Sequence, residues 1–187
     1  MQLSSTDRQV LLSLAREAIA HHLSGETPPL ALDTLPDALT RDGASFVTLT
    51  EHGALRGCIG SLEPRRPLAL DVRENAVAAA FHDPRFPPVR PDELDGLHVE
   101  ISVLSAPQPL AYDGPDDLIA RLRPGVDGVV IERGWNRATF LPQVWGKLPD
   151  PHQFLEHLCA KAYLPAGAYR SAGLDVCTYQ VEKFEEE

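Results

Sequence analysis

The 187-residue chain has no run of about 18 consecutive apolar residues, so a membrane-crossing helix is not expected. Its opening residues, Met1-Gln2-Leu3-Ser4-Ser5, lack a basic stretch followed by an apolar one, and no signal peptide is expected. Basic residues are outnumbered: 17 lysines and arginines stand against 27 aspartates and glutamates, for a net charge of −10. A general nucleic-acid binder needs a basic stripe to neutralise phosphates, and an anionic membrane surface would repel such a chain, so neither is expected as a partner. Cysteine is scarce. Cys58, Cys159 and Cys177 form no Cys-x-x-Cys pair, and an odd count without a secretion signal fits reduced thiols in the cytoplasm. There is no His-Glu-x-x-His, no Gly-x-Gly-x-x-Gly and no Gly-x-x-x-x-Gly-Lys-Ser/Thr, so neither a metal nor a nucleotide cofactor is expected.

What the chain does have is ordinary bulk and one unusual strand. Apolar residues make up 43% of it, enough for one core or for two small lobes. The unusual strand is Leu55-Arg56-Gly57-Cys58-Ile59-Gly60. Two glycines in a strand weaken it, so their presence points to close backbone approach there. Alternation puts Leu55, Gly57 and Ile59 on a core face and Arg56, Cys58 and Gly60 on the other, with a thiol and a guanidinium side by side.

Helical spacing of Val10, Leu11, Leu14, Ala15, Ala18 and Ile19 predicts a helix over residues 6–23, capped by Ser5 or Thr6 and ended by Gly25. Residues 44–50 read as a strand that pairs with the Cys58 strand through a turn at residues 51–54. Residues 68–81 read as an alanine-rich helix opened by Pro67, with Leu70, Ala76, Val77, Ala80 and Phe81 as its buried stripe. The stretch His82-Asp83-Pro84-Arg85-Phe86-Pro87-Pro88-Val89 is stiffened by three prolines yet carries charged and aromatic groups. A rigid loop loses little entropy on binding. Residues 97–104 alternate cleanly as a strand. A short helix follows Gly114-Pro115, and strands over 128–132 and 137–141 form a second hairpin. Asp150-Pro151 opens a helix whose face holds Phe154, Leu155, Leu158, Cys159 and Ala162. One last strand covers 176–184, and Glu185-Glu186-Glu187 reads as a frayed tail. The order of elements gives an α+β fold with a mainly antiparallel sheet and flanking helices.

The hexapeptide at 55–60 resembles the signature of the AMMECR family, known in bacteria as AmmeMemoRadiSam system protein A. Phe81-His82-Asp83-Pro84-Arg85-Phe86 resembles its second block and Glu100-Ile101-Ser102-Val103-Leu104-Ser105 its central strand. Gly125-Val126-Asp127-Gly128 with residues 139–144 resembles its third block, and residues 154–162 its closing helix. Tyr163 departs from the pattern, since relatives often carry glycine there. The resemblance implies one domain over residues 1–187 with two interleaved parts, a larger and a smaller lobe around a cleft. It also implies a pathway or complex shared with Memo-like and radical-SAM proteins, without naming a reaction.

Read as chemistry, Cys58 is the candidate nucleophile, with Arg56 holding an anionic group or stabilising the thiolate. Glu100 or His82 would handle the proton, with His52 and His98 as further candidates. Gly57, Gly60, Asp83, Arg85, Phe86 and Gln143 complete the candidate binding set. The bland reading makes Cys58 a small packed residue and Arg56 half of an ion pair with Glu100 or Asp83. The rival function is a non-catalytic binding partner, with the Asp83 to Val89 loop and Trp145 as interface anchors.

Overall fold

The computed structural model describes residues 3–187. The chain forms two compact units, one running up to Ser105 and regaining Glu182–Glu187, the other spanning Ala106–Val181. Among the described residues no helix is long and apolar enough to cross a membrane.

The first unit contains α1 (Ser5–Ser24), a helical turn α2 (Asp37–Thr40), β1 (Asp42–Glu51), β2 (Ala54–Gly60), the two-residue β3 (Arg66–Pro67), α3 (Leu68–Phe81), β4 (Leu97–Leu104) and β9 (Val181–Glu185). Its sheet runs in the order β2-β1-β4-β9, with β3 paired to β1. Both β2 and β4 run antiparallel to β1. Val47, Leu49, Val99 and Ile101 are fully buried in one core with Leu11, Ala15 and Ile19 of α1 and Val72 and Ala76 of α3. Ser4, one residue before the expected cap, closes the start of α1 in a capping box with Asp7, and Gly25 ends it at φ 76°.

Small residues set how closely α3 lies on the sheet. A Cβ added at Gly57 would meet the Ala79 carbonyl oxygen at 2.0 Å, so the helix backbone rests directly on β2. The buried stripe of α3 differs from the expected one. Asp71, Val72, Asn75, Ala76, Ala79 and Ala80 are buried, whereas Leu70 and Val77 are half-buried. Polar side chains turn inward because they find partners there. The Asp71 carboxylate accepts hydrogen bonds from the Ser45 N–H (2.8 Å) and hydroxyl (2.7 Å), the Ser61 hydroxyl (2.6 Å), the Asn75 amide (2.9 Å) and Arg66 Nε (2.9 Å). A carboxylate so fully bonded is tolerated in a core, and it ties the start of α3 to β1 and to the end of β2.

The C-terminus corrects the expectation of a frayed tail. Glu186 accepts two bonds of 2.6 Å from Arg16 and one of 2.9 Å from the Val99 N–H. The same guanidinium donates to the Leu94 and Leu97 carbonyls. These bonds hold Glu186 below the usual carboxylate range against the opposing effect of burial.

The second unit contains β5 (Gln108–Pro109), α4 (Pro115–Arg121), β6 (Gly128–Arg133), β7 (Asn136–Phe140), α5 (Pro151–Lys161) and β8 (Asp175–Tyr179). Its sheet runs β5-β8-β6-β7. The single strand expected over 176–184 is two strands, β8 and β9, that break at Gln180 and join different sheets. Cys159 is fully buried beside Phe154, Leu155 and Leu158, as its helical spacing predicts. Trp145, expected as an interface anchor, is instead 3% exposed. It stacks on Phe154 at 3.6 Å and donates from its indole N–H to the Asp127 carbonyl at 2.7 Å.

The close approach at Gly57 makes a direct prediction. Gly57→Ala must push α3 off β2, and overpacking of this kind costs about 1–3 kcal/mol. A urea midpoint for Gly57→Ala equal to that of the parent protein would contradict this packing.

Candidate functional site

Cys58 lies opposite Thr48 on β1, and Thr48 lies opposite Glu100 on β4. The three side chains form a row across the sheet face turned away from the α1–α3 core. The Thr48 hydroxyl donates to Cys58 Sγ at 3.3 Å. Glu100 ends the row in an ion pair with Lys183 at 2.6 Å. Cys58 is half-buried and its thiol is free.

β2 is an edge strand, with β1 on one side only. The proline-stiffened loop after α3 takes its free side. The Cys58 N–H donates to Asp83 Oδ2 at 2.9 Å, and Arg85 Nη2 donates to the Cys58 carbonyl at 3.3 Å. Asp83 and Arg85 are themselves paired, through Nε to Oδ1 at 2.9 Å and Nη2 to Oδ2 at 2.6 Å, and the Arg85 N–H adds a third bond at 3.1 Å. Asp83 is 4% exposed. The Arg85 guanidinium, then the Cys58 and Arg85 amides, hold its carboxyl well below the usual carboxylate range although burial opposes them. Arg85 is raised in turn, chiefly by its hydrogen bonds to Asp83 and further by the charges of Asp83 and Cys58. The guanidinium also lies 5.4 Å over the Phe86 ring.

The hexapeptide therefore sits in a defined setting, and its resemblance can be tested against known proteins. A family model described as AMMECR1 matches residues 12–184. A Methanothermobacter thermautotrophicus protein is 44% identical over 99% of this chain and 97% of its own. Protein MJ0810 of Methanocaldococcus jannaschii is 35% identical over 92% of this chain and 86% of its own. The crystal structure of the uncharacterized protein PH0010 from Pyrococcus horikoshii superposes with a TM-score of 0.80 at 34% identity, over 100% of this chain and 95% of that one. The chain belongs to the AMMECR1 family. Its α+β fold is the one shared with PH0010.

Within this family member the expected site residues do not all converge. Arg56 is 9% exposed and points elsewhere. It makes a two-pronged pair with Glu93 at 2.9 and 3.1 Å and donates to the Pro87 and Pro88 carbonyls at 2.8 and 3.3 Å. The reason is a β-bulge. Gly57 opposes Leu49 and Leu55 opposes Thr50, so Arg56 is the unpaired extra residue and simple alternation fails there. The same irregularity leaves Leu55, expected in the core, 43% exposed. The ion-pair partner is Glu93 rather than Glu100 or Asp83, and Arg56 holds Glu93 below its usual range. The guanidinium that reaches Cys58 is that of Arg85.

His82 ends α3, exposed, with its ring 6.3 Å from that of His22. His52 sits in the β1–β2 turn at φ 51°, and His98 pairs with Glu185 at 3.3 Å. Gly60 abuts the Phe46 ring, where a Cβ would come within 2.3 Å. Gln143 is exposed in a helical turn, Pro142–Gly146, of the second unit. Thr48, Glu93 and Lys183 were absent from the expected set. Thr48 had one usable signal, its place in the run Phe46, Thr48, Thr50 on one side of β1.

The electrostatics of Asp83 carry a pH signature. A carboxylate depressed in the folded state contributes stability that is complete above its ordinary value near pH 4 and lost only as pH falls through the lower folded value. The Cys58 and Arg85 amide resonances are expected to hold their positions between about pH 5 and about pH 3, while exposed carboxylates titrate. Asp83→Asn is expected to destabilise the protein by about 1–3 kcal/mol in urea, since a buried acceptor of four bonds is replaced by one that matches them poorly. A Cys58 amide that titrates with an ordinary carboxylate would refute the arrangement.

Proposed function

We propose that this AMMECR1-family protein is a cytoplasmic enzyme acting on a small molecule, with the Cys58 thiol as its nucleophile. The observation that supports this most directly is the company of the sulfur. A hydroxyl donor from Thr48 lies at 3.3 Å, and the Arg85 guanidinium is held beside the same residue by Asp83. A hydroxyl donor and a guanidinium are neighbours that a reactive cysteine uses. Arg85 spends Nε and Nη2 on Asp83 and the Cys58 carbonyl, and its side chain is 54% exposed. Its remaining Nη1 is suited to an anionic oxygen of the substrate. In a transfer or hydrolysis step the sulfur would bond an electrophilic carbon as that carbon's bond to the leaving group breaks, the leaving group taking up a proton, and an acceptor or water would then displace the sulfur. Glu100, held by Lys183 in the same row, is the acid–base candidate. The substrate would belong to a pathway shared with Memo-like and radical-SAM proteins.

A second reading, a binding partner of those proteins without its own chemistry, is favoured by two exposed aromatics in the second unit. Trp135 is 102% exposed at the β6–β7 turn, and Tyr163 is 93% exposed. Tyr163 holds φ 58°, a conformation that suits glycine and strains a bulky side chain. Asn136, next to Trp135 in the chain, donates to the Tyr163 carbonyl at 3.3 Å, so the two aromatic residues lie on adjoining segments.

Alkylation with iodoacetamide across pH, with peptide mapping, separates the readings. Cys177 is half-buried and serves as the reference thiol, while Cys159 is fully buried and raised by burial. Near pH 6, Cys58 is expected to react about tenfold faster than Cys177, and Arg85→Ala to remove that advantage. Arg56→Ala is not expected to act on the thiol directly. A Cys58 that stays protected until the protein unfolds would end the nucleophile reading. Direct binding to the Memo-like protein, abolished by Trp135→Ala, would then be the finding to seek.

A further inference from the structure

His82 is not at the Cys58 row, and its actual surroundings form a second site. A cavity of about 550 Å³ opens between the C-terminal half of α1 and α3, within the first unit. That volume suits a small organic ligand. Its floor is apolar and low, made of Ala18, Leu70, Val77 and Ala78. These include the two α3 residues, Leu70 and Val77, that the inward turn of Asp71 and Asn75 leaves out of the core.

Its rim is built of rings and positive charge. The His22 ring lies 4.2 Å from Phe81 at an interplanar angle of 30°, and His82 stands nearly perpendicular to His22 at 85°. Two ring planes at right angles make a corner into which a flat molecule fits, one face stacked and one edge met. His21 and His22 occupy the last turn of α1 and bring two imidazoles to the rim. Arg73 adds a permanent charge and pins the segment after α1 by donating to the Pro28 carbonyl at 2.6 Å. Of the carboxylates nearby, Glu74 is paired with Arg66. Glu26 lines the cavity, and Glu17 lines a smaller recess beside it, shared with Pro28 and Pro29. Three imidazoles and one guanidinium thus outweigh Glu26 once the imidazoles are charged. Among the described residues no three His, Cys, Asp or Glu side chains are placed to share a metal ion, so the histidines offer ring faces and charge.

We propose that this groove binds a planar aromatic carboxylate, with its ring in the His22–His82 corner over Val77 and Ala78 and its carboxylate toward His21, His82 and Arg73. The carboxylate is held by charge and hydrogen bonds that a neutral ligand lacks, and any imidazole that carries a proton adds to them. The site is separate from Cys58 and does not depend on what Cys58 does.

The test is a titration of the full chain with 1-naphthoate, followed by NMR of the histidine rings, at about pH 5.5 and about pH 7.5. The neutral 1-naphthamide and the cationic 1-naphthylmethylamine serve as controls. Naphthoate is expected to shift the His21, His22 and His82 rings saturably and to bind about tenfold tighter at the lower pH, a difference the amide does not show. His22→Ala is expected to weaken both naphthoate and the amide by removing the ring face. His21→Gln, which leaves both walls of the ring corner in place, is expected to leave amide binding intact and to reduce the pH dependence for naphthoate. His22 is exposed and His21 half-buried, so the fold is expected to survive these changes. Absence of saturable ring shifts at about 10 mM naphthoate, equal binding of the amide and naphthoate at both pH values, or preference for the amine would each overturn the proposal.

Discussion

An edge strand leaves every second N–H and C=O without a partner. In this protein the strand so placed is the one that carries Cys58. Asp83 and Arg85 take the part of a missing neighbour: a carboxylate receives the Cys58 N–H and a guanidinium donates to its carbonyl. The pairing of the two side chains with each other gives this substitute its fixed geometry. Farther along the same loop, Arg56 binds the Pro87 and Pro88 carbonyls and Glu93. The loop is thus fastened at both ends, and its prolines leave little slack between. The position of the thiol follows from that fastening. Loss of Asp83 would free Arg85 and the Cys58 amide together.

The same strand is fixed from beneath by the helix that leads into the loop. Gly57 lets the α3 backbone touch β2 at Ala79, and the Asp71 cluster anchors the first turns of α3 to β1 and Ser61. Helix and loop therefore enter the site from a surface that cannot drift. Turning Asp71 and Asn75 inward has a second result, because it rotates Leu70 and Val77 toward the α1–α3 groove. One local choice, a polar cluster in place of an apolar stripe, helps to set both the rigidity near Cys58 and the floor of the histidine-lined cavity.

Much of this was legible in the chain. Period and caps placed α1, α3, β4, the hairpins and α5 nearly where they lie, since those signals depend on neighbours a few residues away. Cys58, Asp83 and Arg85 stood out as candidates, and they do meet. What could not be read involved choices made at a distance. Alternation cannot show that residues 175–185 serve two sheets, because either half reads as a good strand. It cannot foresee the bulge at Arg56, which turns on one residue of register and sends that side chain to Glu93. Asp71 and Asn75 read as solvated until Ser45, Ser61 and Arg66 are known to surround them. Tyr163 marks the opposite case: the resemblance implies glycine at this place, and the backbone of Tyr163 lies in the left-handed region that favours glycine.

The histidines divide what looked like one set of functional groups into two. A cysteine enzyme with an imidazole base needs the ring within hydrogen-bond reach of the thiol. His82 instead faces His22 and the α1–α3 groove, and His98 is engaged with Glu185. The Cys58 sulfur has instead a hydroxyl donor from Thr48, and the Arg85 guanidinium reaches the carbonyl of the same residue. The proposed cysteine chemistry would therefore proceed without an imidazole at the sulfur. Glu100, the proposed acid–base group, is held by Lys183 at 2.6 Å. Lys183 lies on β9, the strand that the chain adds last to this sheet. The surroundings of Glu100 therefore depend on the C-terminal strand, which is tied to α1 by Glu182 on Arg8 and Glu186 on Arg16.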